Sequence, residues 1–258
     1  MGDNNSEILG KKIFFLYPSA VIQNRIASDL VQQEYEIYIV RNHTGLRRVL
    51  RTYPDSIVFV NIDDQLPEKD CETWIRGIMK DPATASVKIG VLASEFNEAL
   101  ERKYINSVGI SGGYTVIKIK SDISKAILKI MEILKALDAR GRRKYLRVTT
   151  EKEAQATLNM PYNGQYINGV IKDISVAGLS CAFEKSPQLE KNTLCKDMQL
   201  RLQSMILKTE GIIFGARMDG LAAVYVLLFT QRIDPDVRSK IRKYIQSLLQ
   251  ARMDILLK

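Results

Sequence analysis

Histidine and tryptophan are nearly missing from this chain of 258 residues, with one of each, His43 and Trp74. One imidazole leaves little material for a zinc site or a hydrolytic triad. Cysteine is scarce as well. Cys71, Cys181 and Cys195 are three, an odd number, at wide and unrelated spacings. That pattern is neither a disulfide framework nor a metal-ligand set, and it fits a reducing compartment. No apolar run approaches the ~18 residues a membrane-spanning helix needs. The N-terminus lacks the basic-then-apolar order of a signal peptide, so a cytoplasmic protein is expected. Met1-Gly-Asp-Asn-Asn-Ser6 mimics a myristoylation start, which is read as chance.

What is present fits two domains. The net charge is +9, and it is unevenly placed. Up to Asp138 there are 18 basic and 18 acidic residues; from Ala139 on there are 20 basic and 11 acidic. The second half therefore favours an anionic partner: a nucleotide, a nucleic acid or a membrane surface. A merely soluble basic surface fits the charge equally well.

The first half alternates short apolar runs with helical spacings. Lys12–Leu16, Glu36–Val40, Ser56–Ile62, Val87–Leu92 and Tyr114–Ile119 read as strands. Val21–Gln33, Thr44–Tyr53, Glu72–Met79, Asn97–Ser107 and a helix from Ser121 to about Asp138 fall between and after them. Five βα units imply a parallel sheet covered on both faces. The last helix carries a stripe of Ile123, Ile127, Ile130, Met131, Leu134 and Leu137, which closes the core or forms a dimer seam.

Over residues 10–138 this order resembles a response-regulator receiver domain, a flavodoxin-like α/β fold. The resemblance implies acids after strand one, a phosphoacceptor aspartate ending strand three, a hydroxyl after strand four and a lysine after strand five. Here strand one runs into Tyr17-Pro18-Ser19, Val60 or Asn61 stands at the phosphoacceptor position, and Asp63 and Asp64 come late. Ser94 and Lys118 match the hydroxyl and the lysine. Without the acids there is no charge to hold the magnesium that phosphotransfer requires. A pseudo-receiver is expected, with a protein partner or the neighbouring domain docking on it.

From Thr149 the texture changes to short β-prone runs: Ala154–Asn159, Gln165–Ile174, Leu179–Phe183, Met198–Leu202, Ile206–Phe214 and Leu221–Thr230. Asn163-Gly164 is a strong hairpin turn. Asp234-Pro235 starts a helix whose apolar face is Val237, Ile241, Tyr244, Ile245, Leu248 and Leu249. A small antiparallel barrel with a closing helix, packed on the barrel and extending to about Leu257, is expected.

Two motifs stand in this half. Arg143 and Arg147 form Arg-x-x-x-Arg ahead of the first barrel strand, with Arg142 beside them. Asp173, Ser175 and Gly178 form Asp-x-Ser-x-x-Gly across a turn between strands. Taken alone, the arginines are a basic linker and Asp173–Gly178 is an Asx-type turn ended by a glycine with positive φ. Taken together and in this order, over residues 140–258, they resemble the PilZ family of cyclic di-GMP receptors. The resemblance implies a six-stranded antiparallel barrel with a C-terminal helix, over 148–258, behind an Arg-rich linker at 139–147. It implies a ligand, cyclic di-GMP, held by Arg142, Arg143, Arg147, Asp173, Ser175 and Gly178, no cofactor and no catalysis. In the family an arginine ahead of the motif is linked with an intercalated ligand dimer, which Arg142 would serve.

The chemistry agrees. A guanidinium pairs bidentately with phosphate or with guanine O6 and N7, and stacks on a base. A carboxylate accepts from the guanine Watson–Crick edge, a serine donates to phosphate, and a glycine admits close approach. Arg140–Val148 is expected to be mobile without ligand and tied down by it. A phosphorelay regulator and a nucleic-acid-binding module are the alternatives, the second disfavoured by the want of an aromatic stacking platform. No cyclase or phosphodiesterase signature appears. Oligomeric state, ligand stoichiometry and output are open; motility and virulence are both compatible with the family.

Overall fold

The computed structural model describes residues 10–117, 123–150, 156–184, 187–220 and 222–258. Met1–Ser6, Lys118, Ile119, Ser121, Ala154 and Leu221, which the sequence reading uses, lie outside them. The chain forms two compact units, one of Met1–Lys144 with Leu249–Lys258 and one of Tyr145–Leu248.

The first unit is a parallel sheet of β1 (Ile13–Leu16), β2 (Ile37–Val40), β3 (Ile57–Asn61), β4 (Lys88–Ala93) and β5 (Tyr114–Val116), in the order β2-β1-β3-β4-β5. Its strands are apolar throughout because both faces are covered. Phe14, Leu16, Val58 and Val60 face one core with Leu46, Leu50, Ile75 and Ile78. Their chain neighbours Ile13, Phe15, Ile57 and Phe59 face the other with Ile26, Leu30, Ile130 and Leu134. Those helical residues lie on α1 (π-helical Ile22–Ala27, then Ser28–Gln32), α2 (His43–Thr52), α3 (Glu68–Lys80) and α5 (Ile123–Ala136). The helix α4 (Glu98–Arg102, π-helical over Lys103–Val108) adds Tyr104 to the first core. Asn42 and Asn97 cap α2 and α4 through their side chains, and Gly109 ends α4 with φ +80°. The stripe of α5 closes the second core: Ile130 and Leu134 are buried in it, and Ile123, Ile127, Met131 and Leu137 pack against it.

The second unit is a closed antiparallel barrel. Its strands are β7 (Ala156–Tyr162), β8 (Gln165–Ser175), β9 (Gly178–Phe183), β10 (Leu194–Leu202), β11 (Met205–Asp219) and β12 (Ala222–Phe229). They pair in the order β8-β7-β10-β11-β12-β9, and β9 pairs back onto β8, so the six strands close into a ring. Asn163 and Gly164, with φ of +49° and +75°, make the two-residue turn between β7 and β8. A further strand, β6 (Arg147–Thr149), pairs with the end of β8.

The last helix, α6 (Pro235–Leu257), begins as expected, with Asp234 Oδ1 accepting from the Asp236 N–H at 2.8 Å. Its end differs from the expectation of a helix packed on the barrel. From Leu249 the chain belongs to the first unit, where Met253 and Leu257 are buried in the core cluster of α2 and α3. Domain limits of 10–138, 139–147 and 148–258 do not follow this division. The physical reason is the sheet edge. The Ile39 N–H of edge strand β2 donates to Gln250 Oε1 at 2.9 Å, and Gln250 Nε2 donates to the Ile39 carbonyl at 2.9 Å. One side chain thus satisfies both outward backbone groups of that residue.

Candidate functional site

Two registers build the site. In β6–β8, Arg147 stands opposite Ser175 and Thr149 opposite Asp173. In β8–β9, Ser175 stands opposite Gly178 and Asp173 opposite Ser180. Arg147, Asp173, Ser175, Gly178 and Ser180 are therefore neighbours across three strands. The alternation along β6 is exposed, buried, exposed: Val148 points inward beside the buried Ile174, which leaves Arg147 outside.

A bulge sets the position of Asp173. The β8–β9 register shifts between Ile171 and Asp173, with Lys172 as the extra residue. Ile171 and Ile174 are both fully buried although three residues apart, which strict alternation forbids and one extra residue permits. The bulge brings Asp173 opposite Ser180. Ser180 Oγ donates to Asp173 Oδ2 at 2.5 Å, and Arg147 Nη1 lies 3.4 Å from Asp173 Oδ1. The carboxylate is held between a strand hydroxyl and a guanidinium. The Arg147 side chain is 45% exposed and that of Asp173 14%, so the pair is reachable from solvent on the arginine side.

The other motif residues serve the turn. Ser175 is buried; its hydroxyl donates to the Gly178 carbonyl at 3.2 Å and accepts from the Ala177 N–H at 3.3 Å. Gly178 is not the positive-φ glycine of an Asx-type turn. It is needed for close approach, since a Cβ there would lie 2.2 Å from the Leu227 carbonyl oxygen of β12. The approach that the glycine permits is by backbone, and it belongs to closure of the barrel. Across β12 and β11 the same row continues from Gly178 to Leu228 and Ile212, 42% and 38% exposed.

Arg142 and Arg143 are exposed on the chain ahead of β6, and both precede the second unit. Both ends of the Arg140–Val148 segment make contacts, each within its own unit. Arg140 donates to the Gln33 carbonyl at 3.0 Å and stacks on Tyr35 at 4.9 Å, and Arg147 and Val148 lie in β6. The residue that the motifs miss is Ser180. Its only trace in the sequence is a small polar residue inside the run Gly-Leu-Ser-Cys-Ala-Phe.

The receiver-like unit offers a second place to look, at the C-terminal ends of its strands. Tyr17 follows β1 with φ +54°, its carbonyl accepting from Asn61 Nδ2 at 2.9 Å. Its phenol meets His43 Nδ1 at 2.6 Å, and it is almost wholly buried. Asp63 accepts from the Ser94 N–H, so that carboxylate is engaged by a backbone group. Among the described residues no cluster of three acids, histidines or cysteines could hold a metal. Also among them, no helix is long and apolar enough to cross a membrane.

No family model matches the chain, and no curated protein matches it. It is similar to solved structures over less than half of its length. The PilZ domain with c-di-GMP of YcgR from Escherichia coli matches at 15% identity and a TM-score of 0.39, covering 44% of this chain and 96% of that one. The K. pneumonia MrkH–c-di-GMP complex matches at 22% identity and a TM-score of 0.40, covering 45% of this chain and 57% of that one. The Bacillus subtilis inhibitor of motility MotI/DgrA matches at 14% identity and a TM-score of 0.37, covering 43% and 52%. The match spans half of the YcgR chain solved in complex with c-di-GMP, at 50%.

Proposed function

We propose that the second unit is a PilZ-type receptor for cyclic di-GMP and that the protein signals without catalysing a reaction. The observation that carries this is the placing of Arg147 beside Asp173 at the Ser175–Gly178 turn. Two distant motifs, each of a type suited to a guanine dinucleotide, meet across three strands. Arg147 pairs with phosphate or the guanine O6/N7 edge, and Asp173 accepts from the guanine Watson–Crick edge. Arg142 and Arg143, carried a few residues upstream on the same chain, supply further guanidiniums. The basic excess of the second half draws the dianionic ligand in.

On this reading the receiver-like unit is a docking platform for a protein partner and takes no phosphoryl group. Residues 141–146 lead from one unit to the other, so their capture by ligand through Arg142 and Arg143 passes the signal on. The likeness to proteins solved with c-di-GMP is consistent with this reading.

Calorimetric titration with cyclic di-GMP tests it. Binding at micromolar concentration or tighter is expected, largely abolished by Arg143→Ala and by Arg147→Ala. Variants that bind as the parent does would remove the site. RNA or DNA that displaced the dinucleotide, with affinity falling steeply as salt rises, would favour a nucleic-acid-binding module instead. Small-angle scattering unchanged by ligand would remove the coupling between units and leave binding intact.

A further inference from the structure

The geometry points to Ser180 as a positioning residue that sets guanine recognition by fixing the plane of the Asp173 carboxylate; this rests on the cyclic di-GMP reading above. A carboxylate reads guanine by accepting from N1–H and the 2-amino group together, and this needs both oxygens in a defined orientation. An aspartate on a strand has rotational freedom about its terminal bond. Here that freedom is removed from one side by β9. Ser180 is 2% exposed, lies opposite Asp173 in register, and donates to Oδ2 at 2.5 Å. Arg147 approaches Oδ1 from β6. The two partners differ in permanence. Ser180 is buried in the barrel wall, whereas Arg147 is 45% exposed and free to turn to a phosphate or base. When ligand draws Arg147 away, the serine hydroxyl still holds the carboxylate in place.

The bulge at Lys172 makes this pairing. Were the Ile171–Cys181 register to run on without a bulge, Ser180 would stand opposite Lys172 and Asp173 opposite Leu179. The serine needs no contact with the ligand. It acts through Asp173, so its loss alters which base is accepted as well as how tightly.

The test compares cyclic di-GMP with its inosine counterpart, which lacks the 2-amino groups, on the full-length parent and on Ser180→Ala. The substitution removes one oxygen from a buried site, and melting of each protein checks that it folds. In the parent the guanine ligand is expected to bind roughly tenfold more tightly than the inosine ligand, as one hydrogen bond to a charged group allows. Ser180→Ala weakens the guanine ligand roughly tenfold and the inosine ligand less than about threefold, so that discrimination shrinks. Equal weakening of both ligands, or none, with discrimination unchanged, overturns the positioning role while leaving the receptor reading intact. A parent that binds neither ligand removes both.

Discussion

Arg147 and Asp173 are ion-paired across adjacent strands, Nη1 to Oδ1 at 3.4 Å, although 26 residues separate them in the chain. The pair is partly self-neutralised, and on the proposed reading a phosphate or guanine takes over one of its members. The pair is exposed on its arginine side, and the Asp173 carboxylate keeps its Ser180 hydrogen bond when Arg147 turns to ligand. The guanidinium's planar fork, not its charge alone, suits it to both partners. Arg147→Lys keeps the charge and loses the fork. It is expected to weaken cyclic di-GMP about tenfold or more in a calorimetric titration, while the melting temperature stays close to the parent's.

Gly178 separates binding from folding. Alanine there would set a Cβ 2.2 Å from the Leu227 carbonyl and 3.0 Å from the Leu228 Cα, both backbone atoms. Gly178→Ala is expected to lower stability by about 1–3 kcal/mol in urea unfolding, as overpacking does. A variant as stable as the parent would mean that β12 can move aside.

Gln250 makes the end of the last helix part of the receiver-like unit. Gln250→Ala leaves the Ile39 N–H and carbonyl without their partner and is expected to cost about 1–3 kcal/mol. Hydrogen exchange reads the effect locally: the Ile39 amide should exchange faster in the variant, and unchanged protection would show that the contact is not formed in solution.

The three cysteines are buried, and each thiol is harder to ionise than a free one. Burial, helped by Glu68, Asp70 and Asp63, pushes Cys71 up to about 11. Burial also raises Cys181, with Cys195 adding to it, and burial raises Cys195. The thiolate is the reactive form, and at pH 8 only about one Cys71 in a thousand carries it. Thiol titration should find no fast-reacting group in the native protein at pH 8 and three after denaturation, with Cys71 gaining reactivity as pH approaches 11. A stoichiometric fast reaction at neutral pH would contradict this burial.

The sequence makes most of this architecture legible because its signals are local. Apolar runs on β1 and β3 announce a sheet covered on both sides. Asn163-Gly164 fixes a hairpin, and Asp234-Pro235 starts a helix. What is not legible depends on pairing partners. β6 is three residues inside the charged run Arg-Lys-Tyr-Leu-Arg-Val-Thr, and it is a strand only because β8 offers an edge. The apolar face of α6 says that it is buried, yet not that Met253 and Leu257 are buried in the first unit. At the site, Arg147, Asp173, Ser175 and Gly178 are legible as motifs, whereas their division of labour is not. Ser175 and Gly178 shape the turn, and Ser180 touches Asp173 only because a bulge shifts the register. Ile171 and Ile174, three apart in a strand, are the one trace of that bulge in the sequence.

Amide NMR of the full-length protein titrated with cyclic di-GMP tests the central claim most directly. Saturable shifts are expected at Arg147, Asp173, Ser175, Gly178 and Ser180, in the strands that build the site, with Leu200 on the far strand β10 little changed. No shifts at micromolar to millimolar ligand, or shifts confined to the parallel-sheet unit, would contradict the account.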